Sequence, residues 1–113
     1  LTPRLASSVL VSALLRKAQD EGGFGAVLFK GDEKAGEIIV ILNERGQKKG
    51  VFQRFLQADG LYSWQGMTGQ VIENEGEFSK FIDRRRRFDP DLWLIELDIA
   101  SAERFAAEMN AFD

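Results

Sequence analysis

The stretch DRRRRFDPDLWLIELD, Asp83 to Asp98, decides how the rest of this 113-residue chain is read. Its first half closes a helix. Asn74 with Glu77 three residues on makes a capping-box pattern, and Phe78, Phe81 and Ile82 then fall on one helical face. Pro90 disfavours helical geometry at Asp89, so the helix stops by Phe88. Its second half is a strand, Leu92 to Leu97. Alternation puts Trp93, Ile95 and Leu97 on one face and Leu92, Leu94 and Glu96 on the other.

Working outward, residues 3 to 21 carry helical spacing, with Leu5, Val9, Leu10, Leu14, Leu15 and Ala18 as the apolar stripe. Thr2 serves as N-cap with Pro3 at the first helical position, and Gly22-Gly23 ends the element. Val9 to Leu15 is too short to cross a bilayer, and no cleavage pattern follows it, so it reads as a helix of the fold. Phe24 to Lys30 is a strand, followed by a turn at Gly31-Asp32-Glu33-Lys34. Glu37 to Asn43 is the central strand, because Ile38-Ile39-Val40-Ile41-Leu42 lacks alternation and so needs cover on both faces. After a turn at Asn43 to Gln47, Val51 to Leu56 forms a further strand, and Asp59-Gly60 turns it into Leu61 to Gln65. Gln70 to Glu73 reads as a short strand. Ser101 caps a last helix whose buried stripe is Ala102, Phe105, Ala106 and Met109. The whole is a single α+β domain over residues 1–113. Its antiparallel-rich sheet of about five strands packs with three helices, in the order helix, strands, helix, strand, helix.

Composition narrows the chemistry. With no Cys there is no disulfide, thiol nucleophile or thiolate metal site. With no His the usual base near neutral pH and the commonest zinc ligand are both missing. The net charge of -3 offers no global field for nucleic acid or an anionic membrane. Glycine offers no phosphate loop: Gly22, Gly23 and Gly25 follow a helix and precede a strand, the reverse of the required order.

The arginine run does not act as one motif. Successive helical residues turn by about 100°, so Arg85 falls near the centre of the apolar stripe while Arg87 points away, with Arg84 and Arg86 flanking. A charge brought to the core needs a partner. The expectation is a structural latch from Arg85 to Glu96 or to the turn aspartates Asp89 and Asp91. Arg84, Arg86 and Arg87 are then the residues left to meet an anion or a partner.

The block RRRRFDPDLWLIELD (Arg84 to Asp98) resembles the closing signature of domain-of-unknown-function family 1491, a bacterial family of short single-domain proteins. The N-terminal helix and Gly31 to Ile38 also fit that pattern, while the last helix, Ser101 to Asp113, extends beyond the family's short tail. The resemblance implies no activity and no catalytic, cofactor or metal residue.

Three readings of function remain. Pro90-Asp91 before a strand holding Glu96 is one half of a metal-dependent nuclease pattern, but Glu96-Leu97-Asp98 has no Lys in the required place. Nucleic-acid binding would use Arg84, Arg86 and Arg87 on phosphates, with Phe88, Tyr62 or Trp64 stacking on bases. The net charge and the neighbouring aspartates oppose it. The favoured reading is a non-enzymatic cytoplasmic interaction or anion-recognition module without cofactor. Its partner is a protein, a second copy included, met through an edge strand, the arginine-bearing helix, or an apolar patch of Trp64, Tyr62 and Phe55.

Overall fold

Ile38 to Leu42 is buried throughout because its alternate side chains enter two different cores. Ile38, Val40 and Leu42 face one side with Trp93, Ile95 and Leu97, while Ile39 and Ile41 face the other with Val51, Leu92 and Leu94. The computed structural model describes residues 5–110. It contains, in order, α1 (Ser7–Asp20), β1 (Phe24–Phe29), β2 (Ile38–Glu44), β3 (Gln47–Leu56) and β4 (Tyr62–Gly66). Then come α2 (Gln70–Glu73), α3 (Glu75–Phe88), β5 (Trp93–Asp98) and α4 (Ala102–Met109). The strands make one five-stranded sheet in the order β1-β5-β2-β3-β4. Neighbours are antiparallel except β2 and β5, which run parallel because the chain leaves β2 and returns only after α3.

Helices α1 and α4 cover the first face, contributing Leu10, Leu14, Ala18, Phe105 and Met109 to its core. Helices α2 and α3 cover part of the second face with Ile72, Phe78 and Ile82. Among the described residues no helix is long and apolar enough to cross a membrane.

Several local expectations change. Thr2 and Pro3 lie outside the described residues, and α1 begins at Ser7. Its first free N–H groups are met by a loop rather than by a side-chain cap: Ser7 and Ser8 donate to the Lys34 and Glu33 carbonyls at 3.2 and 2.9 Å. Its buried stripe is Ser7, Leu10, Val11, Leu14 and Ala18, with Leu5 and Val9 exposed. Gln70–Glu73 is a helical turn and not a strand. Gly69, at φ 105°, turns the chain sharply, and Ile72 and Glu73 donate to the Gly69 carbonyl. Strand β3 starts four residues earlier than Val51 suggests, because Arg45 and Gly46 (φ 50° and 79°) close a two-residue hairpin between Glu44 and Gln47. The Asp98 carboxylate holds that turn, accepting from the Arg45 and Gly46 N–H groups at 3.1 and 2.7 Å. The caps hold as read: Asn74 accepts from Glu77 N–H, and Ser101 from Arg104 N–H.

Candidate functional site

Helix α3 places its arginines on different surfaces. Arg85 reaches the start of β2 and the middle of β3, donating to Glu37 Oε2 and Gln53 Oε1, both at 3.0 Å. Gln53 Nε2 closes the triangle by donating to the same Glu37 oxygen at 2.8 Å. The latch is therefore real in kind but its partner is Glu37, not Glu96, Asp89 or Asp91. The geometry explains why. From the α3–β5 turn, Glu96 lies about four strand residues away, roughly 13 Å, while Arg85 is only about 6 Å back along the helix. Glu96 thus stands level with the middle of α3, where Ser79 and Asp83 face it across a cleft. Asp89 and Asp91 organise the turn locally instead. Asp89 Oδ1 accepts from Asp91 N–H, and the Asp89 carbonyl accepts from Leu92 N–H.

That turn is clasped by the loop before β2. Asp32 N–H donates to the Asp91 carbonyl at 3.0 Å, and the Trp93 indole donates to the Asp32 carbonyl at 2.7 Å. Gly31 and Gly36 have to be glycine, since a Cβ on either would sit 2.0 or 2.2 Å from the Asp91 carbonyl oxygen. Ser7 Oγ donates to the Gly36 carbonyl, so one loop ties α1 to the α3–β5 turn. The two family-like stretches of sequence, Gly31 to Ile38 and Arg84 to Asp98, are thus a single packed unit.

The remaining arginines divide again. Arg86 is spent on structure, its guanidinium 3.5 Å from the Phe29 ring centroid on β1. Arg84 and Arg87 are exposed, with no partner among the described residues, and share the outer face of α3 with Phe88, which is 81% exposed. The stacking surface expected from Tyr62 and Trp64 is not available: Trp64 is buried in the α1–α4 core, and Tyr62 is half-buried beneath the Arg54 guanidinium. Phe55 is exposed beside Leu56 and Leu61 near the β3–β4 hairpin. Asp91 lies in the turn before β5, while Glu96 lies within the strand. No three acids among the described residues are placed to hold one metal ion.

One concavity lies outside every sequence-based expectation. Helix α3 lies over β2 and β3, leaving the β1–β5 margin of the second face open as a cleft of about 570 Å³. Phe24, Ala26 and Leu28 of β1 line one side, with Ile41, Phe78, Ile82 and Leu94 forming the apolar floor and wall. Phe24 remains 66% exposed. Asp83 and Glu96 project into this space and have no hydrogen-bond or ion-pair partner among the described residues. Two other charges in the cleft are used. Asp98 holds the β2–β3 turn, and the Lys48 ammonium sits 4.1 Å over the Phe78 ring and 3.3 Å from Glu75 Oε1. The Lys48 contact is ionic and aromatic rather than a directional hydrogen bond, since its buried nitrogen makes none. A signal for the cleft was present in sequence. Glu96 sits among apolar neighbours, and β1 (Phe24-Gly25-Ala26-Val27-Leu28-Phe29) carries no charge.

The chain matches, over residues 5–107, the family described as protein of unknown function DUF1491, and it belongs to that family. The match runs into α4, so the last helix is part of the family pattern rather than an extension of it. The solution structure of protein Atu0922 from A. tumefaciens is similar at 29% identity, TM-score 0.74, covering 92% of this chain and 93% of that one. The crystal structure of a DUF1491 family protein from Caulobacter crescentus CB15 is similar at 28% identity, TM-score 0.76, with 90% and 94% covered. An NMR structure of a DUF1491 family protein from Caulobacter crescentus CB15 gives 27% identity and TM-score 0.74, with 93% and 94% covered. No curated protein matches the chain.

Proposed function

We propose that this DUF1491 member is a non-enzymatic interaction module whose recognition site is the cleft between α3 and the β1–β5 margin. The observation that carries this reading is the combination of an open apolar floor with two carboxylates, Asp83 and Glu96, that have no partner among the described residues. Recognition sites typically pair a largely apolar concavity with a few placed polar groups. Exposed Phe24 and Leu28 at the cleft mouth add apolar area that a partner would cover. On this reading the module acts in the bacterial cytoplasm and needs no cofactor.

A second reading rests on the outer face of α3, where Arg84 and Arg87 flank the exposed Phe88. That face suits an anionic partner, nucleic acid included, though it holds two arginines without a partner among the described residues rather than the three expected.

Affinity capture from cell extract separates the two. Ala26→Trp fills the cleft from an exposed β1 position and spares the core. Partners held by the wild-type chain and by Arg84→Ala/Arg87→Ala, but lost with Ala26→Trp, support the cleft. Partners indifferent to Ala26→Trp, or released by nuclease, overturn it.

A further inference from the structure

We infer that the cleft receives an extended polypeptide segment that adds to the free edge of β1 and carries lysine or arginine toward Glu96 and Asp83. This rests on the cleft being the recognition site and names the occupant.

Among the described residues strand β1 is hydrogen-bonded only to β5, so its other side presents backbone groups that no described residue pairs. Exposed edges are normally blunted by lysine, proline or an overlying segment. Phe24 to Phe29 holds neither charge nor proline, and no loop or cap hydrogen bond reaches its backbone among the described residues. The opposite edge is treated differently: the Trp64 N–H of β4 is capped by Asn110 Oδ1 at 2.8 Å. Among the described residues the β4 edge thus carries one such cap and the β1 edge none.

A bulge at Leu28, between the Val27–Ile95 and Phe29–Leu94 pairs, limits what can be added. Bulges twist an edge and stop pairing, so the accessible ladder runs over Phe24 to Val27. This length suits a short segment and discourages open-ended stacking.

Charge selects the occupant. Ala26 lies opposite Glu96 in the β1–β5 pairing, and its small side chain leaves the carboxylate reachable from the edge. A strand added to β1 would lie two strand spacings from β5, about 10 Å, a gap that a long basic side chain and the carboxylate share. Asp83 faces the same space from α3. A second copy fits poorly, because β1-to-β1 pairing would set two acidic clefts side by side.

The test uses the isotope-labelled full chain and a synthetic peptide matching the six residues of β1 in length, alternating lysine and valine. The expected result is slowed hydrogen exchange at outward β1 amides, with shifts at Phe78 and Leu94. The isosteric pair Asp83→Asn/Glu96→Gln, checked for unchanged melting, should weaken the peptide roughly fivefold or more. Proline at the centre of the peptide should abolish binding. Equal affinity for a glutamate–valine peptide, or shifts confined to Arg84 and Arg87, overturns the proposal. So does β1 protection that grows with protein concentration in the absence of peptide. Shifts at Phe78 and Leu94 without β1 protection overturn strand addition while leaving the cleft reading intact. Silence at every cleft residue, together with capture indifferent to Ala26→Trp, removes both.

Discussion

Arg85→Ala isolates the latch that holds the end of α3 to the sheet. The substitution removes two hydrogen bonds, one to the half-exposed Glu37 and one to Gln53, which is 4% exposed. The larger cost comes from Gln53, whose side-chain oxygen would be left without its donor in the interior, at about 1–3 kcal/mol. The ion pair adds less. With Arg85 and Glu37 side chains 28% and 55% exposed, solvent screening holds it to about 0.5 kcal/mol. The sum is about 2 kcal/mol, which for a domain of this size lowers the melting temperature by about 8 °C. Urea unfolding followed by circular dichroism measures it, provided the denaturant slope is unchanged. Two companions make the test specific. Glu37→Gln keeps the acceptor and should cost about 0.5 kcal/mol, while Glu96→Ala, which touches no latch, should stay within about 0.5 kcal/mol of wild type. A larger loss from Glu96→Ala than from Arg85→Ala would refute the assigned pairing, and so would an Arg85→Ala protein as stable as wild type.

Gly36→Ala should destabilise by more than about 2 kcal/mol, because the new methyl would meet the Asp91 carbonyl oxygen at 2.2 Å and backbone cannot yield as a side chain does. Thermal melting reads the loss, and altered tryptophan fluorescence would report the displaced Trp93 indole. A melting temperature unchanged from wild type would count against the clasp. The pH dependence follows from Lys17, which bridges α1 to α4. Its hydrogen bond to Glu108 holds that carboxylate below its ordinary 4.5, with Lys17 and Arg104 charge assisting and desolvation opposing. Bonds to Glu108 and then Glu21 raise the Lys17 ammonium above its ordinary 10.5. The Glu108 contribution is present above pH 4.5 and fades as pH falls through its lowered value. The Lys17 contribution is complete below pH 10.5 and fades as pH rises through its raised value. Unfolding midpoints for wild type and Lys17→Met should therefore converge at both extremes and differ most between them. A constant difference across the range would count against the bridge.

Local chemistry alone determined much of this protein. The double-sided burial of Ile38 to Leu42, the face assignment along Leu92 to Leu97, the Asn74 and Ser101 caps, and the end of α3 before Pro90 all follow from periodicity and capping. Those features depend on neighbours within a turn or a strand, so the order of residues is enough. What lay beyond reach depended on chain segments far apart. Val71 and Ile72 suit a strand, yet the reversal at Gly69 makes that segment a helical turn. Arg85 was legible as a residue needing a partner, but the choice of Glu37 over Glu96 was not. A helix rises about 1.5 Å per residue and a strand about 3.3 Å, so sequence proximity across the turn stops meaning spatial proximity within a few residues. The same mismatch carries Glu96 past the arginines to face Asp83. Only the tertiary structure, by setting α3 over β2 and β3 and leaving most of that face of β1 open, decided that these two carboxylates should share an open cleft.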